Sequence, residues 1–359
     1  MDSRTVADAG EDALVAHVLA ALGAPRSPDV LVPAGDDAAV LATGGAVVVS
    51  TDTLVAGVDF REDWSSGREV GRKTVVQVLA DVAAMGARPT GLVVSLAAPG
   101  HLPLAWAEEL AAGLREEVAA AGADVLGGDV AESPVAVVTG TGLGVLDGPA
   151  PAVTRAGARP GDLVVLGPMP GRPLGASAAG LAVLGAGPGV LEGLLRDPDA
   201  EVVEAVRLCL AAHRAPAVDH AAGARARAAG ATAMIDVSDG LVRDATRLAR
   251  ASGVVLDLSA AALAAPAVLE RVATALGEPA GTAGRWVLTS GEEHAMLATV
   301  GADATGLDGW RVVGTCRAAP DGAAPVLLDG EDVRRRVGGA GGWTHYGRRP
   351  GRDDGREVP

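Results

Sequence analysis

Four aspartate-bearing clusters, each closing a run of apolar residues, constrain this chain more than any other feature. They are Gly35-Asp36-Asp37, Ser50-Thr51-Asp52-Thr53, Gly127-Gly128-Asp129 and Asp236-Val237-Ser238-Asp239-Gly240. Each reads as an apolar strand with acid and hydroxyl oxygens at its end. Asp and Gly after a strand ordinarily make a turn. Four uses of one grammar in one chain are harder to assign to turns alone. The donors are all oxygen, which suits Mg²⁺ or Ca²⁺ rather than zinc. The six histidines form no HxxxH-type pair, and Cys209 and Cys316 are far apart, so neither type makes a metal pattern of its own.

The runs between the clusters set the fold class. Residues 11–23 read as a short helix ending at Gly23, and 46–53 as a β-branched strand. Over 69–85, Val75, Val78, Leu79, Val82 and Met85 share one helical face, and Gly86 supplies the stop. Strands are predicted over 91–97, 124–126 and 135–146, and a helix over 103–121. A Pro- and Gly-rich stretch, 147–161, marks a domain boundary. The second half opens with a strand at 162–166 and a Gly-rich stretch from Gly167 to Gly189. Alanine-rich helical segments fill 200–229, a strand follows at 231–236, a helix at 239–252, and strands near 286–300 and 311–316. The prediction is an α+β chain of two domains, 1–150 and 151–346, with a polar, disordered tail over 347–359.

Composition removes several function classes. Hydrophobic residues are 49% and charged residues 21%, enough for a sizeable core. Aromatics are 2%, too few for base-stacking platforms, and a net charge of −15 repels nucleic acid and anionic membranes. The acidic N-terminus is no signal peptide, and no uncharged run is long enough to span a bilayer, so a cytoplasmic location is expected. Lys73 is the only lysine, and no GxxxxGK[ST] motif exists, so a P-loop is excluded.

Other residues gain meaning beside the clusters. Asp81 falls on a largely apolar helix face and needs a partner: backbone amides, Arg72 or a metal. Ser238 and Asp239 stand where strand becomes helix, where free amides could cap or bind phosphate. Arg155 is a solvated charge or a phosphate clamp. GTGLG (140–144) mimics half a dinucleotide fingerprint, but no helix follows it. SGEEH (290–294) follows the strand-like 286–289 and reads as a tight acidic turn. Trp343 either pins the C-terminus or stacks on a planar ligand. Together these describe an Mg²⁺-dependent enzyme or binder of a polyphosphate, with carboxylates caging the metals.

The segments GDDAAV (35–40), STDTLVAGVDF (50–60), GRKTVVQVLADVAAMGARPT (71–90), GGDVAES (127–133), TRAGARPGD (154–162), AMIDVSDGL (233–241), LTSGEEHAML (288–297) and GGWTHY (341–346) resemble, in this order, thiamine-monophosphate kinase. The resemblance implies a two-domain PurM-like fold, with an N-terminal domain that dimerises through a barrel-like β-sheet and a C-terminal α/β domain. It implies ATP bound near the dimer interface and direct phosphoryl transfer to thiamine monophosphate, without a phosphoenzyme. Position by position, it makes Asp37, Ser50, Thr51, Asp52, Asp81, Asp129, Asp236 and Asp239 magnesium ligands. Gly128, Asp129, Arg155 and Ser238 become ATP contacts, with Asp52, Asp129 and Arg155 carrying catalysis. Asp59, Glu292 and Trp343 fall on the substrate side.

The departures gather on that substrate side. Asp59 stands where the family usually has His, Val78 where it has Asn, Ser290-Gly291-Glu292-Glu293 where it has GGED, and His294 where it has Tyr. A Pro-x-Pro-Arg segment is partly kept as His213-Arg214-Ala215-Pro216. The alternatives are a superfamily enzyme with another acceptor and a catalytically silent nucleotide- or thiamine-phosphate-binding paralogue. Selenophosphate synthetase is disfavoured because no cysteine precedes Cys209.

Overall fold

The computed structural model describes Thr5 and residues 11–32, 40–338 and 341–342. The elements run α1 (Glu11–Leu22), β1 (Val30–Val32), β2 (Val40–Leu41), β3 (Val47–Val55), α2 (Gly67–Ala84), β4 (Arg88–Ala98), α3 (Leu104–Ala120), β5 (Asp124–Glu132) and β6 (Val137–Val145). They continue with β7 (Leu163–Leu166), α4 (Ala176–Gly185), α5 (Pro188–Leu195), α6 (Ala200–Arg214), α7 (Ala222–Ala228), β8 (Ala233–Val237), α8 (Leu241–Ser252) and β9 (Val254–Leu258). Last come α9 (Ala267–Ala275), α10 (Thr282–Thr289), β10 (Ala295–Val300), β11 (Arg311–Ala318), β12 (Val326–Leu328), β13 (Glu331–Asp332) and α11 (Arg334–Val337).

The larger sheets are a four-stranded one, in order β3-β6-β4-β5, and a seven-stranded one, in order β13-β12-β9-β11-β7-β10-β8. The architecture is mixed α and β, as the sequence pattern implies. Among the described residues the four-stranded sheet is open, with β3 and β5 as its edges, and it closes into no barrel within one chain. No single described helix is long and apolar enough to cross a membrane.

Helix α2 organises the molecule. It starts at a capping box: Ser66 Oγ accepts from the Glu69 N–H, and Glu69 Oε2 accepts from the Ser66 N–H. Val75, Val78, Leu79 and Val82 are fully buried against the four-stranded sheet, each contributing roughly 1.5–3 kcal/mol. Ala80, Ala83 and Ala84 form a second stripe, packed with Val165, Met234 and Met296 of the seven-stranded sheet. Lys73, Gln77 and Asp81, four residues apart, form a third, polar stripe.

GTGLG (140–144) now has a packing role. Its alternate glycines lie on β6 facing α2. A Cβ at Gly142 would sit 2.6 Å from Val78 Cγ1, and one at Gly144 would sit 2.3 Å from Val82 Cγ1. The missing side chains let the helix lie close on the sheet.

Two sequence expectations are corrected. Ser50–Thr53 and Gly127–Asp129 do not end their strands; each lies inside a strand nine residues long, because the hydroxyls and glycines are tolerated within an edge strand. The stretch 286–289 is the last turn of α10, not a strand. The Gly-rich stretch, to which the sequence pattern assigns no element, holds α4 and the first residues of α5, whose alanine and leucine content outweighs the glycines.

Candidate active site

A cavity of about 800 Å³ opens between the two sheets. Its walls come from the loop after β3 (Asp59, Phe60, Trp64), the polar stripe of α2 (Lys73, Gln77), the start of α4 (Ser177), His213 at the end of α6, the β8–α8 turn (Ser238, Asp239) and the turn before β10 (Glu292, His294). The size suits a small-molecule site.

The 290–294 turn arms this cavity by alternation. Glu292 and His294 both adopt left-handed backbone, φ 58° and 49°, unusual for side-chain-bearing residues. Their N–H groups donate to Ser238 O and Val237 O, each at 2.7 Å, docking the turn on the end of β8. Glu292 and His294 line the cavity, while Glu293 is fully buried behind it. The Glu293 carboxylate pairs with Arg172 and accepts from the Gly175 and Ser177 N–H groups (2.9 and 3.2 Å) and from Ser290 Oγ (2.6 Å). Glu293, one of the departures from the family pattern, therefore supports the turn and does not touch the cavity.

Glu292 meets the only lysine. Lys73 Nζ lies 2.6 Å from Glu292 Oε1 and donates to Asp59 O at 3.1 Å. His213 Nδ1 is 3.3 Å from Glu292 Oε2. Burial alone would raise the Glu292 carboxyl, but the Lys73 charge and hydrogen bond offset it and hold the group below its ordinary value. Burial lowers His213 to about 4, so its ring is neutral at pH 7. Asp59 also sits in the wall, but its carboxylate accepts from the Val55 N–H (2.9 Å) and closes the turn after β3.

Asp52 also lines the cavity, and Asp81 and Asp236 stand close enough to it to share its electrostatics. Burial, followed by the charge of Asp236, pushes Asp81 up to about 6, and Ser50 Oγ donates to it at 2.7 Å. Arg72 is not its partner; that guanidinium pairs with Glu117 at 3.1 Å. Burial likewise raises Asp52, which accepts from the Thr53 N–H at 2.7 Å. Asp236 is 3% exposed and lies 3.2 Å from His294 Nδ1. Among the described residues, no three or more His, Cys, Asp or Glu side chains stand arranged to hold an ion by themselves.

Other expected residues fall elsewhere. Asp239 is committed to Arg247 (2.5 Å) and Arg243 (3.4 Å) on α8. The amides of Ser238, Asp239 and Gly240 are not free for phosphate. All three donate to Asp244 Oδ2, at 3.1, 2.9 and 3.1 Å, and α8 begins only at Leu241. Thr51 donates its hydroxyl to Gly140 O and does not join Asp52. Gly128 and Asp129 are exposed on β5, at the far edge of the sheet, and Arg155 is exposed outside the cavity. Asp37 and Trp343 lie outside the described residues.

Sequence reasoning passed over Lys73, Gln77, His213 and Trp64 as site residues. The first two carried a readable signal, the i, i+4, i+8 polar stripe with Asp81. Trp64 did not: its ring lines the cavity under the Arg61 guanidinium, 4.5 Å from the ring centre.

Residues 35–146 match the family model described as AIR synthase related protein, N-terminal domain. The chain is 41% identical over 353 residues to thiamine-monophosphate kinase of Mycobacterium tuberculosis, covering 96% of this chain and 94% of that one. It is 37% identical over 316 residues to thiamine-monophosphate kinase of Corynebacterium glutamicum, covering 87% and 88%. In structure it is similar to thiamine-monophosphate kinase from Stenotrophomonas maltophilia K279a, with TM-score 0.72, 26% identity and 89% and 96% coverage. It also resembles AaThiL complexed with AMPPCP and TMP, with TM-score 0.70, 24% identity and 90% coverage of both chains.

Fold and site thus define an enzyme of the PurM-like class, a phosphotransferase. Within that class, the chain belongs to the thiamine-monophosphate kinase family.

Proposed function

We propose that this chain transfers the γ-phosphoryl group of ATP directly, in line, to the phosphate of thiamine monophosphate, giving thiamine diphosphate and ADP. The observation that carries this reading is the cavity and its charges. Lys73-held Glu292 and half-buried Asp52 line it, with Lys73 and Gln77 of the α2 stripe, and Asp81 and Asp236 stand near enough to Asp52 to share its electrostatics. AaThiL, with AMPPCP and TMP together, is a structural neighbour consistent with it.

The residues divide the work. Glu292, kept ionised by Lys73, offers a negative charge to the cationic thiamine ring system, with Asp59 nearby. Phe60 and Trp64 give that end of the cavity apolar, planar walls. His213, neutral, accepts or donates one hydrogen bond but no charge. None of these groups needs to act as an obligatory base, because the acceptor phosphate is already a nucleophilic anion.

The carboxylate side fits magnesium. Its donors are oxygen, and Asp81 is destabilised as a bare anion beside Asp236 and Asp52, which a cation would reverse. Asp52, Asp81 and Asp236 would hold Mg²⁺, with Asp37 and Asp129 completing the set. When bound, the ions neutralise charge on the transferring phosphoryl group.

Asp129 gives the reading a quaternary form. Along the ladder Thr53–Thr139–Ser95–Asp129 it lies three strand spacings from β3, about 14 Å. We read the enzyme as a homodimer in which β5 of one copy borders β3 of the other, so that Asp129 serves the second copy's site. The exposed Val47, Val49 and Val93, on the sheet face turned away from α2, would be covered in such a barrel. In this form residues 1–150 make the ATP-binding, dimerising domain and 151–346 the second domain.

The test is an assay of purified protein with ATP, Mg²⁺ and thiamine monophosphate, with thiamine and aminoimidazole ribonucleotide precursors as parallel acceptors and products resolved by chromatography. Thiamine diphosphate should form only from the monophosphate. ATP binding without transfer would sink the kinase reading in favour of a silent binder.

A further inference from the structure

We propose that the Trp64 indole is the platform for the positively charged ring of the acceptor, and that the Arg61 guanidinium lying on it is an internal competitor that the acceptor displaces. The inference rests on the kinase reading and deepens it, giving selection for a cation to a residue so far described only as an apolar wall. The local sequence builds the pair. The Trp64 and Ser65 N–H groups both donate to Arg61 O, at 3.0 and 2.9 Å, closing a tight turn. The turn brings the guanidinium carbon to 4.5 Å from the centre of the indole ring. Both residues line the cavity. Asp63, in the same turn, accepts from Arg61 Nε and Nη2 at 2.8 and 2.6 Å and holds the guanidinium in place.

Phe60, the other aromatic wall among the described residues, is 5% exposed and stacked on Trp106, with ring centres 6.1 Å apart, so its ring is committed to the first core. Trp64 is half-buried and packs against the second core, which fixes its ring while leaving part of it open to the cavity. Indole is the best aromatic face for a cation, and this one already carries one. Arg61 is held there only weakly. Its side chain is exposed, and its bond to Asp63 is a surface ion pair, which contributes little. A flat, delocalised cation that lays its whole ring on the indole, with Asp59 and Glu292 in the same cavity wall, gains apolar contact and charge together. A neutral ring of the same shape gains the contact alone. Trp64 therefore selects for charge in the acceptor, and Arg61 sets how much of that selection is felt.

Titration calorimetry of the full chain tests this with thiamine monophosphate and with its neutral isostere, in which a thiophene replaces the thiazolium. Trp64→Leu should weaken thiamine monophosphate binding about tenfold and binding of the isostere several-fold less. Arg61→Ala should tighten thiamine monophosphate binding about threefold, and that gain should vanish in the double variant with Trp64→Leu. The Kd of a non-transferable ATP analogue, measured in every variant, shows that the fold is kept. If Trp64→Leu does not keep it, Trp64→Phe, whose ring holds a cation more weakly, carries the same comparison with smaller shifts. Unchanged or weaker thiamine monophosphate binding in Arg61→Ala overturns the inference and leaves the kinase reading standing. So do equal losses of the two ligands in the Trp64 variant, or a full gain from Arg61→Ala in the double variant. Failure of the wild type to bind thiamine monophosphate at all overturns both.

Discussion

Lys73 Nζ lies 2.6 Å from Glu292 Oε1, and this one pair joins the polar stripe of α2 to the 290–294 turn across the cavity. Lys73 is 2% exposed, so its charge has little water to return to if the partner is lost. Lys73→Met should raise the KM for thiamine monophosphate about tenfold or more, with the ATP KM changed far less. It should also cost about 1–3 kcal/mol of stability, less than a fully buried pair because Glu292 is partly exposed. Urea denaturation of Lys73→Met, Glu292→Gln and the double variant measures the coupling. Strict additivity would show that the pair is not an energetic unit.

The buried pair behind the turn gives a second prediction. Glu293→Gln leaves the Arg172 guanidinium without its carboxylate, deep in the core. The cost should be about 3–5 kcal/mol. Because Glu293 holds the segment that presents Glu292, acceptor KM should rise at temperatures where the variant is still folded. Unchanged melting temperature and unchanged KM would contradict this supporting role.

The pH dependence of Asp81 follows from its environment. Burial and the Asp236 charge raise its folded pKa from 3.8 to about 6. The folded state therefore binds that proton more tightly than the unfolded one. The stability it contributes is full below about 3.8 and is lost as pH rises through about 6. Asp81→Asn, neutral throughout, should be more stable than wild type at pH 8 without divalent cations, by about 1–2 kcal/mol after allowing for partial exposure. The two proteins should be nearly equal at pH 4. Denaturation in EDTA at both pH values tests the sign; a variant less stable at pH 8 would refute it. The same substitution should remove most kinase activity, placing function and stability in opposition at one residue.

How much of this was legible in the sequence depends on where each residue's constraint lies. The elements with a clear period were readable: α2 from Val75, Val78, Leu79 and Val82, which are all fully buried, and β4 from its apolar run. The 286–289 segment was misread because Trp286, Val287 and Thr289 have β propensity, while the packing of Trp286, Val287 and Leu288 in the second core decides for helix. Asp81 was legible as a carboxylate needing a partner, but not its bond to Ser50, which comes from a strand far away in sequence. The Asp244 bonds to the Ser238, Asp239 and Gly240 amides were hidden for the opposite reason. Asp244 reads as an ordinary helix acid, and only the turn geometry shows that it occupies the amides the sequence offers to phosphate. Lys73 was noticed for what its solitude excluded, while its spacing to Gln77 and Asp81 already held the site.

Asp52 and Asp129 supply the sharpest test of the quaternary reading. Each, changed to Asn, should lower turnover at least about 10²-fold through lost charge stabilisation of the transferred group. Yet they lie on opposite edge strands of one open sheet, Asp52 on β3 and Asp129 on β5. If one copy's Asp129 completes the other copy's site, a dimer of one Asp52→Asn chain and one Asp129→Asn chain holds one doubly altered site and one intact site. Unfolding and refolding the two inactive variants together should then recover about a quarter of the wild-type rate, since half of the dimers are mixed and each has one working site. Each variant refolded alone should recover none. Mixing that restores nothing, while wild type refolds fully under the same conditions, would mean that Asp129 acts within its own chain or not at all. Recovery would place each cation site between two copies, and would explain why no complete set of ligands gathers among the described residues of a single one.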